Sequence, residues 1–156
     1  MTVSLRPIRP DDEPLLYRLY ASTREAEMAL TGWTPEEIED FLRMQFHAQH
    51  THYMQYPPTC YFNVIELDGA PIGRIYTAEW DEDLRLIEIT LLPEYRNRGI
   101  GTRLIRDVME RARALGKPVR LHVENFNPAR HLYERLGFTV LEERGFNLFM
   151  EWRGDG

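Results

Sequence analysis

The stretch LLPEYRNRGIGTRLIRDVM, residues 91–109, carries an apolar run into a proline, passes through R-N-R-G-I-G, and continues directly as a helical pattern. A helix N-terminus offers backbone N–H groups without intrahelical partners and a partial positive charge. Glycine bares that backbone, so a phosphate can approach it closely. Here the amides of Arg98, Gly99, Ile100, Gly101 and Thr102 would converge on such an anion, with Arg96, Arg98 and Arg103 adding neutralising charge. No lysine follows the second glycine, as a nucleotide-triphosphate loop requires, and no full G-x-G-x-x-G dinucleotide fingerprint is present. Alone, G-x-G at a helix start fits equally well a tight strand-to-helix turn with surface arginines.

Working outward, Leu84–Leu92 reads as the strand that feeds this turn, and Gly99–Leu115 as the helix that leaves it. Ile100, Leu104, Ile105 and Val108 share one face of that helix, and Gly116 ends it. Upstream, Val3–Ile8 alternates as a half-buried strand, and Asp11, Asp12 and Pro14 open a helix. T-P-E-E at 34–37 predicts a capping box with Thr34 as N-cap, Pro35 first and Glu37 third, starting a second helix that runs to about Tyr53. Cys60–Leu67 and Pro71–Trp80 are strand signals separated by the turn Asp68-Gly69. Downstream come a strand at Val119–Val123, a helix capped by Asn127 with Pro128 first and Gly137 closing it, and a hairpin of Phe138–Glu143 with Phe146–Trp152. The order β-α-α-β-β-β-α-β-α-β-β, an antiparallel meander followed by β-α-β crossovers, predicts an α/β (α+β) mixed sheet with helices on both faces.

The 156 residues, with 43% hydrophobic and 28% charged content, suit one domain spanning 1–156 with a real core. No apolar run is long enough for a membrane helix, and the N-terminal residues lack a signal-peptide core. Cys60 is the only cysteine, so no internal disulfide and no cysteine-based zinc site can form, and a reducing, cytoplasmic setting is expected. A net charge of −6 argues against general nucleic-acid binding.

The segment LLPEYRNRGIG, followed by N-P-A-R-H-L-Y-E-R-L-G-F at 127–138, resembles the GNAT superfamily of acyl-CoA-dependent N-acyltransferases. The acyl-CoA motif [RQ]-x-x-G-x-[GA] is matched by Arg96, Gly99 and Gly101. The later motif is matched by Asn127, Ala129, Leu132, Tyr133, Glu134, Gly137 and Phe138. Many members place Asn seven residues before the Tyr, whereas here Asn127 stands six before Tyr133 and Asn125 eight.

The resemblance implies a six-to-seven-stranded, mostly antiparallel sheet splayed between its fourth and fifth strands and flanked by four helices. It implies acetyl-CoA as acyl donor and no metal. The cofactor arm would lie along Ile89, Thr90 and Leu91, with a backbone N–H near Leu91 polarising the acyl carbonyl. Its pyrophosphate would sit on Arg96, Asn97, Arg98, Gly99, Ile100, Gly101 and Thr102, and Asn127 and Ala129 would meet the cofactor arm from the start of the last helix, near Tyr133. The acceptor would be a primary amine of a small molecule or peptide, under the first two helices, and a homodimer is frequent among relatives.

Transfer from a thioester to an amine needs a base to expose the nitrogen lone pair and benefits from an acid at the leaving thiolate. Tyr133 resembles the family acid, and otherwise reads as a packing aromatic. Glu88, a carboxylate in the apolar run LIEITLL, is a candidate base, because burial is costly for it unless solvated or paired. A solvent-facing or ion-paired Glu88, with Arg85 or Arg74, is the alternative. His122 in LHVEN is a second candidate base with a suitable ordinary pKa, or else a structural histidine. Cys60 reads as a small core residue. His47 and His50 stand one helical turn apart, but no third ligand is specified. A catalytically silent acyl-CoA sensor would keep the same motifs, and a plain phosphate-binding domain would need them by coincidence.

Overall fold

The computed structural model describes residues 2–154. In chain order it contains strand β1 (Val3–Pro7), helices α1 (Glu13–Ala29) and α2 (Pro35–Tyr53), strands β2 (Cys60–Leu67), β3 (Ala70–Glu79) and β4 (Leu84–Leu91), helix α3 (Ile100–Leu115), strand β5 (Val119–Glu124), helix α4 (Ala129–Arg135), and strands β6 (Thr139–Arg144) and β7 (Asn147–Trp152). The strands form one seven-stranded sheet in the order β1-β2-β3-β4-β5-β7-β6. β4 runs parallel to β5, whereas β1–β2, β5–β7 and β6–β7 are antiparallel. No helix among the described residues is long and apolar enough to cross a membrane.

Local chemistry accounts for the boundaries. Thr34 Oγ1 accepts the Glu37 amide at 3.2 Å and Glu37 Oε1 accepts the Thr34 amide at 3.0 Å, so the capping box forms as the spacing requires. Gly116, at φ 69°, ends α3 in the left-handed conformation. At α4 the structure shifts the expected start by one residue: Pro128 is the N-cap and Ala129 the first helical residue. Asn127 still caps, because its Oδ1 accepts the Ala129 amide at 2.9 Å. The first strand also departs from the simple alternation. Leu5 is exposed, while Arg6 is drawn inward by Asp12 and Glu66.

The chain divides into two compact units, one comprising residues up to Ile75 with Thr90–Arg96, the other Tyr76–Ile89 with residues from Asn97 onward. The core of the first unit is Leu16, Leu19, Tyr20, Leu42, Phe46 and Leu92, overlaid by half-buried Met28, Ile38 and Tyr95. His50 stacks on Phe46 within it, and Cys60 is half-buried at the start of β2.

In the second unit, strand alternation makes one sheet face apolar: Leu84, Leu86, Val119, Leu121, Val123, Leu148, Met150 and Trp152 are all buried. α3 and α4 pack against β5, and Ile100, Leu104, Ile105, Met109 and Ala112 form the buried side of α3. The other face carries a row of charge in strand register, Arg85 opposite Arg120 and Arg120 opposite Glu151. The buried Asp83 carboxylate accepts from Arg85 at 3.0 Å and Arg120 at 3.3 Å, and Glu151 accepts from Arg120 at 2.9 Å. Two guanidiniums side by side would repel; the acids interleaved with them turn the row into a clamp across three strands.

Candidate active site

The clamp sits where β4 and β5 are still joined. Their ladder consists of Leu84, Arg85 and Leu86 against Val119, Arg120 and Leu121, and no further pair follows, although β4 runs on to Leu91 and β5 to Glu124. The sheet is therefore open beyond Leu86, with strand backbone available along β4 for an extended ligand.

Two of the expected catalytic side chains, Glu88 and Tyr133, act on each other electrostatically near this opening. Glu88 follows Leu84 and Leu86 on the apolar face and is half-buried there. Tyr133, on α4, is 6% exposed and its ring centroid lies 5.6 Å from that of Phe138. Burial pushes its phenol well above the ordinary tyrosine value, and the negative charge of Glu88 pushes it the same way.

His122 goes elsewhere. It alternates with Leu121 and Val123, which places it on the charged face, opposite Glu88. It is exposed, stacks on Phe149 at 4.7 Å, and is held below its ordinary pKa by burial of the ring and by Arg85. Glu88 and Tyr133 thus lie within electrostatic reach of each other, and His122 stands on the opposite face of the sheet. Arg85 bonds Asp83 and lies over the rings of Trp80 and Phe149 at 4.8 and 5.2 Å.

The turn after β4 has the features an anion cradle needs. Pro93–Tyr95 makes one tight turn, Asn97 takes φ 62°, and Gly99 takes φ 82° as the N-cap of α3. Asn tolerates that region better than most residues, and glycine adopts it without strain. The Arg103 amide reaches the Gly99 carbonyl at 3.0 Å. The amides of Ile100, Gly101 and Thr102 precede it and have no carbonyl one turn back. A Cβ built on Gly99 would meet nothing within 4 Å, so the approach to the turn is open. These residues fit a diphosphate.

Two expected contacts take a different form. The Arg96 guanidinium is engaged within the first unit, Nε donating to the Leu91 carbonyl at 3.0 Å and Nη2 to Ser22 Oγ at 3.0 Å. It therefore ties the end of β4 to α1. The Asn127 side-chain oxygen is taken by the Ala129 amide, which leaves only its amide hydrogens for a ligand. One site residue escapes the motif reading altogether. A Cβ on Gly73 would lie 2.5 Å from the Thr90 carbonyl oxygen and 2.9 Å from Leu91 Cδ2, so only glycine lets β3 pass this close to the expected cofactor strand. A glycine inside a strand pattern was its signal. Among the described residues, no group of three or more His, Cys, Asp or Glu is placed to hold a metal.

An open mixed sheet, forked after one short parallel ladder and followed by a glycine-led helix start, is the architecture of acyl-CoA-dependent transferases. The chain belongs to the acetyltransferase (GNAT) family, whose family model matches residues 16–138. It is 34% identical over 103 residues to the probable N-acetyltransferase camello of Xenopus tropicalis, covering 63% of this chain and 47% of that protein. It is 30% identical over 135 residues to an uncharacterised N-acetyltransferase of Methanocaldococcus jannaschii, covering 70% and 59%. The chain thus spans about half the length of the curated relatives it matches. In fold it is similar to the PaiA N-acetyltransferase of Thermoplasma acidophilum, solved in complex with coenzyme A, with a TM-score of 0.74, 22% identity and coverage of 98% and 99%.

Proposed function

We propose that the protein is a cytoplasmic N-acetyltransferase that moves an acetyl group from acetyl-CoA to a primary amine by direct attack in a ternary complex, as a single catalytic domain. The reading is supported by Tyr133, buried on α4 and within electrostatic reach of Glu88, which lies on β4 just beyond the fork. A passive acyl-CoA sensor would have no use for that pair.

Bound acetyl-CoA supplies an activated carbonyl and a thiolate leaving group. The amides of Ile100, Gly101 and Thr102, with Arg98 beside them, hold its diphosphate. The backbone of Ile89, Thr90 and Leu91 aligns the arm as a neighbouring strand would. Glu88 takes a proton from the ammonium of the acceptor, directly or through water, and so exposes the lone pair. The nitrogen bonds to the carbonyl carbon while the carbon–sulfur bond breaks, Tyr133 gives its phenolic proton to the departing sulfur, and the second nitrogen proton passes to the resulting phenolate, directly or through water. Glu88 then releases its proton to solvent.

The test is a panel of amines with acetyl-CoA, read by mass spectrometry of the products, alongside calorimetry with Gly101→Glu. Gly101 has no left-handed φ, so the variant adds a carboxylate to the cradle without backbone strain. Acetylated product from the wild type and no acetyl-CoA binding by the variant are expected. Retained affinity in the variant would contradict the cradle.

A further inference from the structure

Within the second unit, β4 and β5 are joined by the pairs Leu84–Val119, Arg85–Arg120 and Leu86–Leu121, with the Leu84 amide on the Pro118 carbonyl at 2.9 Å. A parallel ladder this short offers few hydrogen bonds to fix its register, and its middle pair sets two guanidiniums side by side, where like charges repel. One carboxylate answers both. Asp83, whose side chain is only 3% exposed, stands one residue before β4 and accepts from Arg85 at 3.0 Å and from Arg120 at 3.3 Å. Its turn is tied in place by the Trp80 amide on the Asp83 carbonyl at 2.9 Å and by Lys117 Nζ on the Trp80 carbonyl at 2.8 Å. On the far side of β5, Glu151 of β7 accepts from Arg120 at 2.9 Å and from Arg153 at 2.8 Å.

The two expected catalytic residues ride on opposite sides of this joint. Glu88 belongs to β4, two residues beyond the last pair. Tyr133 belongs to α4, which packs against β5. Their electrostatic reach therefore depends on how β4 lies on β5. A slip of one residue would carry Glu88 to the opposite face of the sheet. Stability alone does not call for buried charge at the joint, because apolar side chains of similar volume in place of a buried ion pair are often neutral or stabilising. Charge adds register: a carboxylate shared by two guanidiniums is satisfied when Arg85 and Arg120 stand side by side.

We infer that Asp83 is a positioning residue for acyl transfer: by holding Arg85 and Arg120 on one carboxylate it keeps β4 in register on β5, and so holds Glu88 where it acts with Tyr133. The inference rests on the acetyltransferase reading above and adds to it a residue that takes no proton itself. The amides of the diphosphate turn lead α3, which packs against β5, and so they stay in place when β4 shifts.

The experiment compares wild type, Asp83→Asn and the charge-free variant Asp83→Leu/Arg85→Leu/Arg120→Leu, in which Glu151 keeps Arg153. The readouts are Tm, the Kd of acetyl-CoA by calorimetry, and kcat well below the melting transition with an amine that the wild type acetylates. Asp83→Asn leaves the two guanidiniums facing each other, so Tm falls by about 6 °C or more. Its kcat falls about tenfold to a hundredfold, the cost of a misplaced reacting group, while the Kd of acetyl-CoA changes by less than about threefold. The charge-free variant regains the Tm of the wild type, because no buried charge is left facing its like, but does not regain its kcat. A wild-type kcat in Asp83→Asn or in the charge-free variant overturns the inference and makes the clamp a stabilising device only. Loss of acetyl-CoA binding in step with kcat also overturns it, because the defect then lies in the fold. Where Asp83→Asn fails to fold, the charge-free variant decides alone, a lowered kcat supporting the inference and an unaltered one overturning it. No acetylated product from the wild type overturns the acetyltransferase reading and this inference with it, whereas an active wild type with unaltered variants overturns the inference alone.

Discussion

Tyr133 and Glu88, 45 residues apart in the chain, act on each other in the fold: the carboxylate on β4 raises the pKa of the phenol on α4, in the same direction as burial does. The phenol therefore stays protonated throughout the neutral range.

Tyr133→Phe is expected to lower turnover about a hundredfold, within the span of general acid catalysis, and to leave acetyl-CoA affinity unchanged, since the ring packing against Phe138 survives. Steady-state kinetics checks this; undiminished turnover removes the acid role. Stability gives a second reading. A phenol pKa above the ordinary value of about 10 means that the folded state holds its proton longer than the unfolded one, so stability is complete below about pH 10 and falls as pH rises through the folded value. Urea titrations at alkaline pH should show a smaller fall in the variant.

Gly73→Ala drives a methyl group into the Thr90 carbonyl. Strain of this kind costs about 1–3 kcal/mol. Because the yielding atoms belong to the strand that would align the cofactor arm, KM for acetyl-CoA should rise as well. Thermal unfolding and calorimetric titration measure the two effects, and wild-type values for both would mean that β4 is not held by this approach.

His122→Ala should leave kcat within about twofold, because surface side chains remote from the chemistry rarely matter more. A large drop in kcat would reinstate it as a base. Its lowered pKa predicts that stability is intact above the ordinary value of about 6.5 and declines as pH falls through the folded value. The difference between wild type and variant should therefore change on the acid side of neutrality, in denaturant titrations.

Asp12→Asn removes the carboxylate that receives two 2.8 Å bonds from Arg6 and the 2.7 Å bond from the Arg9 amide. Breaking a buried, hydrogen-bonded charge pair of this kind costs about 2–3 kcal/mol. Arg6 holds the Asp12 pKa below its ordinary value, so this stabilisation is present above about pH 3.9 and is lost as pH falls through the folded value. Wild type and variant should differ in urea at pH 7 and converge in strong acid.

The element order and the capping box at Thr34 were legible because they depend on neighbours three or four residues away. The residue types place the start of α4 one residue early because Asn127 caps from outside the helix, a choice between two local geometries that they alone leave open. Nothing local to Arg96 announces that Ser22 on a distant helix accepts a hydrogen bond from it. The clamp residues Asp83, Arg85, Arg120 and Glu151 carry no shared motif at all.

From its sequence alone this chain determined its family, its strand and helix order, and the glycine-led turn at 96–102, because proline, glycine and capping residues restrict backbone angles wherever they stand. The tertiary structure decided which side chains share a face. Strand alternation and the three-pair ladder between β4 and β5 set Glu88 with Tyr133 and turned His122 away. That outcome depends on register between distant segments, where a shift of one residue exchanges the two faces of a strand.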